Sequence, residues 1–345
     1  MAHMIYREAF YNRDDNPAWH ALGHNVGKNA YHDAKQALEV IGGAPPVVLR
    51  PLFTEDGVEV PYRAIMRLPY DGDPDPAVNG VVSEDYGFIS HEEAVDIAYI
   101  VMRDRAGNRL PVETMGFLRG GFELFISYVL PTIEVAREEV RQFMLLHLPL
   151  TGTDAASVSR SGQRTVCANT LSFALSGASE MYKVVHDAGA RMRLANWMRD
   201  MYVRFEDRSE AVQEAMDLLS RRRANADAVN DVLLTAYPNQ ARPNEEAPPD
   251  VVETRLHDWE LELKRMERYR VEAERLFLGD MTGYRTDLQG SFWYLYNAVA
   301  ELENYRRGGG GPNGERTVAA SISFGDRRST MERTFAHSLE LANKN

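Results

Sequence analysis

Residue types that handle anions and protons crowd into one short stretch, Arg164-Thr-Val-Cys-Ala-Asn-Thr-Leu171. A β-type run ends there. The apolar residues that follow, Leu171, Ala174, Leu175, Ala178, Met181, Tyr182 and Val185, have the spacing of an amphipathic helix. Backbone N–H groups at a helix start are unpaired and point outward, so Arg164 and the amides near Cys167 would hold one phosphate. Further cations follow, and the stretch is locally slightly basic in a chain of formal net charge −12. The functional reading is a phosphate-tracking surface carried by Arg160, Arg164, Lys183, Arg191 and Arg193. The competing reading is solvated helix faces, offset by Asp187, Asp200, Glu206 and Asp207. One observation separates the two: whether these side chains share a free face or are spent on their own acids.

Cys167 is the one cysteine, which excludes an internal disulfide and a cysteine-based zinc site. As a nucleophile it needs a nearby histidine, and the spacing pairs none of His20, His24, His147 or His186 with it. A small buried apolar residue is the competing role. Asn169 and Thr170 are read as bracing the junction through backbone hydrogen bonds. His20 and His24 lie four apart, but Gly23 between them argues against the helix that would make them a ligand pair. No His-Glu-X-X-His pattern is present, and the reading is no metal and no cofactor. Arg221-Arg-Arg223 reads as a solvated helix end. Trp293 and Tyr294 fall off the apolar stripe of their helix, which makes them candidates for base stacking or a partner contact.

The elements that must position these residues make an α+β chain. A helix over Asp33–Ile41 is stopped by Gly42-Gly43. Extended runs follow at Val47–Phe53, Tyr62–Leu68 and from Val81. Ser90-His-Glu-Glu93 is a capping box and opens a helix. Val112–Leu118, Phe122–Leu130 and Phe143–Leu150 form an antiparallel meander backed by the helix after Arg164, with Thr151–Gln163 as a Ser/Gly/Thr loop. From 190 onward helices dominate. The expected division is 1–189 as an α+β core domain and 190–345 as a helical region, with a proline-rich linker near 238–249 and a glycine-rich break at 308–311. The Val252–Phe277 stripe predicts a long helix with a narrow seam, and a short β-like run over 318–324 precedes a last helix from Ser329.

Several segments resemble the phage- and plasmid-borne DUF-932 group. Pro17-Ala-Trp-His-Ala-Leu-Gly23 is similar to its opening, and Met115-Gly-Phe-Leu-Arg-Gly-Gly121 to its central hairpin. Arg164–Leu171 is the closest match. His186, Gly290–Val299 and Phe324-Gly325 fit as well. The resemblance implies a mobile-element origin and no particular activity. At the level of element order alone, strand–strand–strand–helix with a basic loop is also similar to phage single-strand annealing proteins of the RecT and Erf kind.

No apolar run approaches the roughly 20 residues a bilayer span needs, which with the single cysteine reads as a cytoplasmic protein without membrane contact. The expected function is an oligomeric, phage-encoded protein that binds and anneals single-stranded DNA in recombination or replication without cleaving it. A nucleotide- or nucleic-acid-processing hydrolase and a protein-binding scaffold are the alternatives.

Overall fold

The computed structural model describes residues 5–13, 24–70, 73–164, 170–171, 174–175, 178–179, 181–244, 246, 248–281, 286–306 and 326–344. Its centre is an eight-stranded sheet built from β1 (Ile5–Asn12), β2 (His24–Asn25), β6 (Val112–Leu118), β7 (Glu123–Val135), β8 (Glu138–Pro149), β9 (Ala156–Arg164), β10 (Thr170–Leu171) and β13 (Met181–Val184). The strands run β10-β9-β8-β7-β6-β1-β2, with β13 also pairing β9. β6 to β9 form a four-stranded antiparallel meander. Two minor strands, β11 (Ala174–Leu175) and β12 (Ala178–Ser179), pair with each other.

A separate three-stranded antiparallel sheet contains β3 (Val47–Phe53), β4 (Glu59–Arg67) and β5 (Ala77–Ser83). Pro51 sits on its edge strand β3, where its absent N–H breaks no ladder between two neighbours.

Alternation divides the large sheet into two faces. Leu124, Ile126 and Tyr128 of β7, with Met144, Leu146 and Leu148 of β8, belong to the first hydrophobic core. That core is closed by α1 (Ala34–Val40), α2 (His91–Val101) and α3 (Ala190–Asp207), through Ala37, Val95, Leu194, Met198 and Phe205. Both of the first two helices start on real capping boxes: Asp33 with Gln36, and Ser90 with Glu93.

A second core gathers the tip of the β7–β8 hairpin, Ile133, Val135 and Val140, with α4 (Ser209–Arg221), α5 (Ala226–Ala236), α6 (Pro249–Arg275), α7 (Phe292–Glu301) and α8 (Asp326–Lys344). All ten residues of α7 are buried. Trp293 and Tyr294 are therefore packing residues, 1% and 4% exposed, and not the partner contacts their off-stripe positions suggested. A helix that is apolar all round is one enclosed on every side. Among the described residues no helix is long and apolar enough to cross a membrane. The segment 238–248 carries no regular structure where described. The break at 308–311 and the run at 318–324 lie outside the described residues.

Two expectations about the meander are corrected. Residues 156–164 are not a loop but the fourth strand, and the helix expected directly after Arg164 is not there. Thr170 and Leu171 turn back and pair with Gln163 and Gly162, and Met181–Val184 pair with Ser159–Ala156. The helix that backs the sheet begins at Ala190. Ladder bonding to the open edge of β9 overrode the 3.6-residue spacing of the apolar side chains.

Candidate functional site

The corrected topology moves the predicted site residues apart. Arg160 lies in β9 with its side chain turned toward the helix-covered face. It is fully buried, 0% exposed, and its guanidinium stands 5.1 Å from the centroid of the Phe205 ring. A side chain so placed is a packing and bridging group, so the phosphate role read for Arg160 from a surface loop is withdrawn. Arg164 ends β9 opposite Val140, with its side chain outside the described residues. Cys167 and Asn169 also lie outside them. Thr170 opens β10, paired with Gln163. The described residues on either side of the junction, Arg164 and Thr170, both belong to strands, and residues 165–169 lie outside the described residues.

Arg191 and Arg193 point outward from α3, each against an acid. Arg191 meets Glu93 at 3.0 Å and also donates to the Phe88 carbonyl. Arg193 meets Asp187 at 2.5 Å and donates to the Val185 carbonyl. Lys183 is different. It is exposed on β13, opposite Ser157 in the register, and has no ion-pair partner among the described residues.

Lys183 leads to a feature that the sequence did not reveal, the second face of the large sheet. The alternate residues of the meander line it: Glu123, Phe125 and Ser127, then Phe143, Leu145 and His147, then Ser157, Ser159 and Ser161. These side chains are also buried, and many are polar. Across the strands, one row runs Phe125, His147, Ser157, Lys183; the next runs Thr114, Ser127, Leu145, Ser159.

Two carboxylates anchor this face, Glu113 at 1% and Glu123 at 2% exposure. Isolated buried carboxylates would be costly, so each is held by two partners. Glu123 takes His147 Nε2 at 3.0 Å and Arg119 Nη1 at 3.0 Å. Glu113 takes Arg13 Nε at 2.9 Å and Arg141 Nη2 at 2.6 Å. Between them, the Thr114 and Ser127 hydroxyls lie 2.5 Å apart. Arg119 and Lys183 are therefore exposed at the margins of a sheet face whose Ser and Thr hydroxyls are themselves buried, with Arg13 and Arg141 half-buried beside Glu113. Glu134 and Glu139, exposed at the hairpin end, set its acidic limit. Among the described residues no cluster of His, Cys, Asp or Glu has the arrangement of a metal site.

His186, expected from the family resemblance, is structural. Its ring stacks on Tyr86 with centroids 4.9 Å apart, and its Nδ1–H donates to the Gly87 carbonyl at 3.3 Å. Burial pushes its imidazole below the ordinary value, the hydrogen bond to Gly87 pulling the other way.

Residues 78–334 match the model of the family described as Domain of unknown function (DUF932). The chain belongs to the DUF932 family. No curated protein matches it, and no solved structure does. The DUF932 match begins within β5 and ends within α8, so it takes in most of both cores and the paired residues Glu113, Arg119, Glu123, Arg141 and His147, with Lys183, but not β1, α1, β3 or β4. Arg13 falls ahead of it. The sequence carried one signal for these residues: Glu113, Glu123 and His147 interrupt otherwise apolar strands, and a charge inside a buried strand requires a partner.

Proposed function

We propose that this DUF932 protein is a self-assembling, non-catalytic protein of phage DNA recombination or replication that binds single-stranded nucleic acid at the exposed cationic margin of its large sheet. The reading is carried by the placement of Arg13, Arg119, Arg141 and Lys183. They come from different strands or strand ends and stand around one buried polar sheet face in a strongly anionic chain. The two most exposed, Arg119 at 51% and Lys183, take phosphates, while Arg13 and Arg141 stay with Glu113 and hold the face in shape. Phe125 and Phe143 are buried and pack the sheet, so affinity rests on backbone charge and carries little sequence preference.

Titration of a labelled oligonucleotide at low and moderate salt tests the reading. Binding that weakens with salt supports it, and no binding at micromolar protein in low salt rejects it. Mass measurement in solution tests assembly, and a monomer at all concentrations removes that part.

A hydrolase is the second reading, and the Glu123–His147 contact favours it. An imidazole oriented by a buried carboxylate is what a general base requires. Turnover of nucleotides or oligonucleotides that disappears in His147→Ala would establish it. No turnover across such a panel, with and without divalent metal, would remove it.

A further inference from the structure

The helix-covered face of the large sheet contains two tyrosine hydroxyls that its apolar packing does not serve. Tyr11 on β1 and Tyr128 on β7 are 0% and 1% exposed. Neither hydroxyl has a hydrogen-bond partner among the described residues, and neither does Nδ1 of His32. The three belong to one neighbourhood. The Tyr11 and His32 rings have centroids 5.7 Å apart. Val112, the register partner of Tyr128, donates its N–H to the His32 carbonyl at 2.9 Å. His32 immediately precedes Asp33, the N-cap of α1, and is half-buried, so the neighbourhood reaches the surface through it.

Burial dominates the chemistry of both phenols. It pushes Tyr11 up to about 12, with Arg13 lowering and Glu113 raising the value by smaller amounts. It pushes Tyr128 higher still, with Asp33 adding to the effect. Both rings are therefore neutral and each brings an O–H to donate. Buried hydroxyls left without partners lose their hydration with nothing in return, and native structures contain few of them. A buried water typically makes about three hydrogen bonds, and the two hydroxyls with the imidazole nitrogen supply that number.

We infer that ordered water bridges Tyr11, Tyr128 and His32 beneath the start of α1, making a wet joint between the sheet and its first helix. The water accepts from the phenols and meets the imidazole, so the two tyrosines are coupled without touching. This site is independent of the polar face and of any nucleic-acid role.

Tyr11→Phe, Tyr128→Phe and the double variant test it by denaturant unfolding. A water-bridged joint predicts that each single change raises the unfolding equilibrium constant about fivefold, the value of one hydrogen bond. It also predicts that the double change raises it by less than the product of the two. Single variants whose unfolding constant is unchanged or lower would overturn the inference, because removing a dry, unserved hydroxyl relieves the fold. Strictly multiplicative effects would overturn the coupling. A high-resolution crystal structure gives the second readout: solvent density within hydrogen-bond reach of both hydroxyls supports the site, and its absence refutes it.

Discussion

Arg328, near the start of the last helix, donates from Nη2 to the main-chain carbonyl of Arg160 at 2.8 Å, across 168 residues of sequence. The same guanidinium meets Glu332 at 2.8 Å. Arg160 in turn lies against Phe205 of the first core. The pair therefore ties α8 to the central sheet where the two cores approach each other. Removing Arg328 takes this ion pair away from a buried carboxylate. Arg328→Met is expected to cost about 3–5 kcal/mol in denaturant unfolding, and Arg328→Met with Glu332→Met to recover most of it. A single variant within 1 kcal/mol of the parent would mean the tie carries no stability.

Gly87 and His186 exchange hydrogen bonds: the Gly87 N–H donates to the His186 carbonyl at 3.1 Å, and His186 Nδ1–H to the Gly87 carbonyl at 3.3 Å. A Cβ at Gly87 would fall 1.9 Å from the Asp187 carbonyl oxygen, a backbone atom that cannot step aside. Gly87→Ala should destabilise the fold by about 3 kcal/mol. Thermal unfolding measures it, and an unchanged midpoint would show that the two segments separate freely.

His91 gives the fold an acid limit. Burial against the first core pushes its imidazole down to about 4, outweighing a smaller opposing effect of the nearby Phe122 backbone. Unfolded, it titrates near 6.5. The contribution is fully present above about pH 6.5, where both states are neutral. It is lost as pH falls toward 4, because the unfolded chain takes up the proton first. The full loss is about 3 kcal/mol. His186 shifts in the same direction. Unfolding free energy measured from pH 7 to pH 4 should fall along this course, and His91→Leu should flatten most of it. An equally steep decline in His91→Leu would assign the limit to other groups.

The β7–β8 hairpin turns through Ala136 and Arg137, at φ of 49° and 67°. A two-residue turn with both residues left-handed favours Asn-Gly, and neither residue here suits it. Ala136→Asn with Arg137→Gly should stabilise the protein by about 1 kcal/mol, read from the denaturant midpoint. A lower midpoint would place a use for these side chains at the turn.

Sequence reasoning succeeded where a local signal stood alone. Ser90 caps its helix as its spacing to Glu93 implied, and the helix expected over 33–41 forms, with Asp33 as its N-cap. It failed where tertiary pairing competed with local pattern. Ser157, Ser159 and Ser161 made β9 resemble a loop because its alternate face is polar as well as buried. The apolar spacing after Leu171 resembled a helix because nothing local shows that β9 has an open edge to fill. The same error set the candidate site. Arg160 looked exposed on a loop, and Arg164 looked poised at a helix start that does not form. Lys183 kept its exposed place, but on a strand. The buried carboxylates left only a weak trace, charges interrupting apolar strands, because His147 and Arg141 meet them 24 and 28 residues away across the sheet.

Phosphate binding is proposed at Arg119 and Lys183, the exposed cations at the margin of the polar sheet face. It is tested most directly by the salt dependence of single-stranded oligonucleotide binding in the parent, Arg119→Ala and Lys183→Ala. The account predicts weaker binding in both variants, with the slope of log affinity against log salt reduced by about one for each. Parent-like affinity and slope in both variants, with the fold intact, would contradict it.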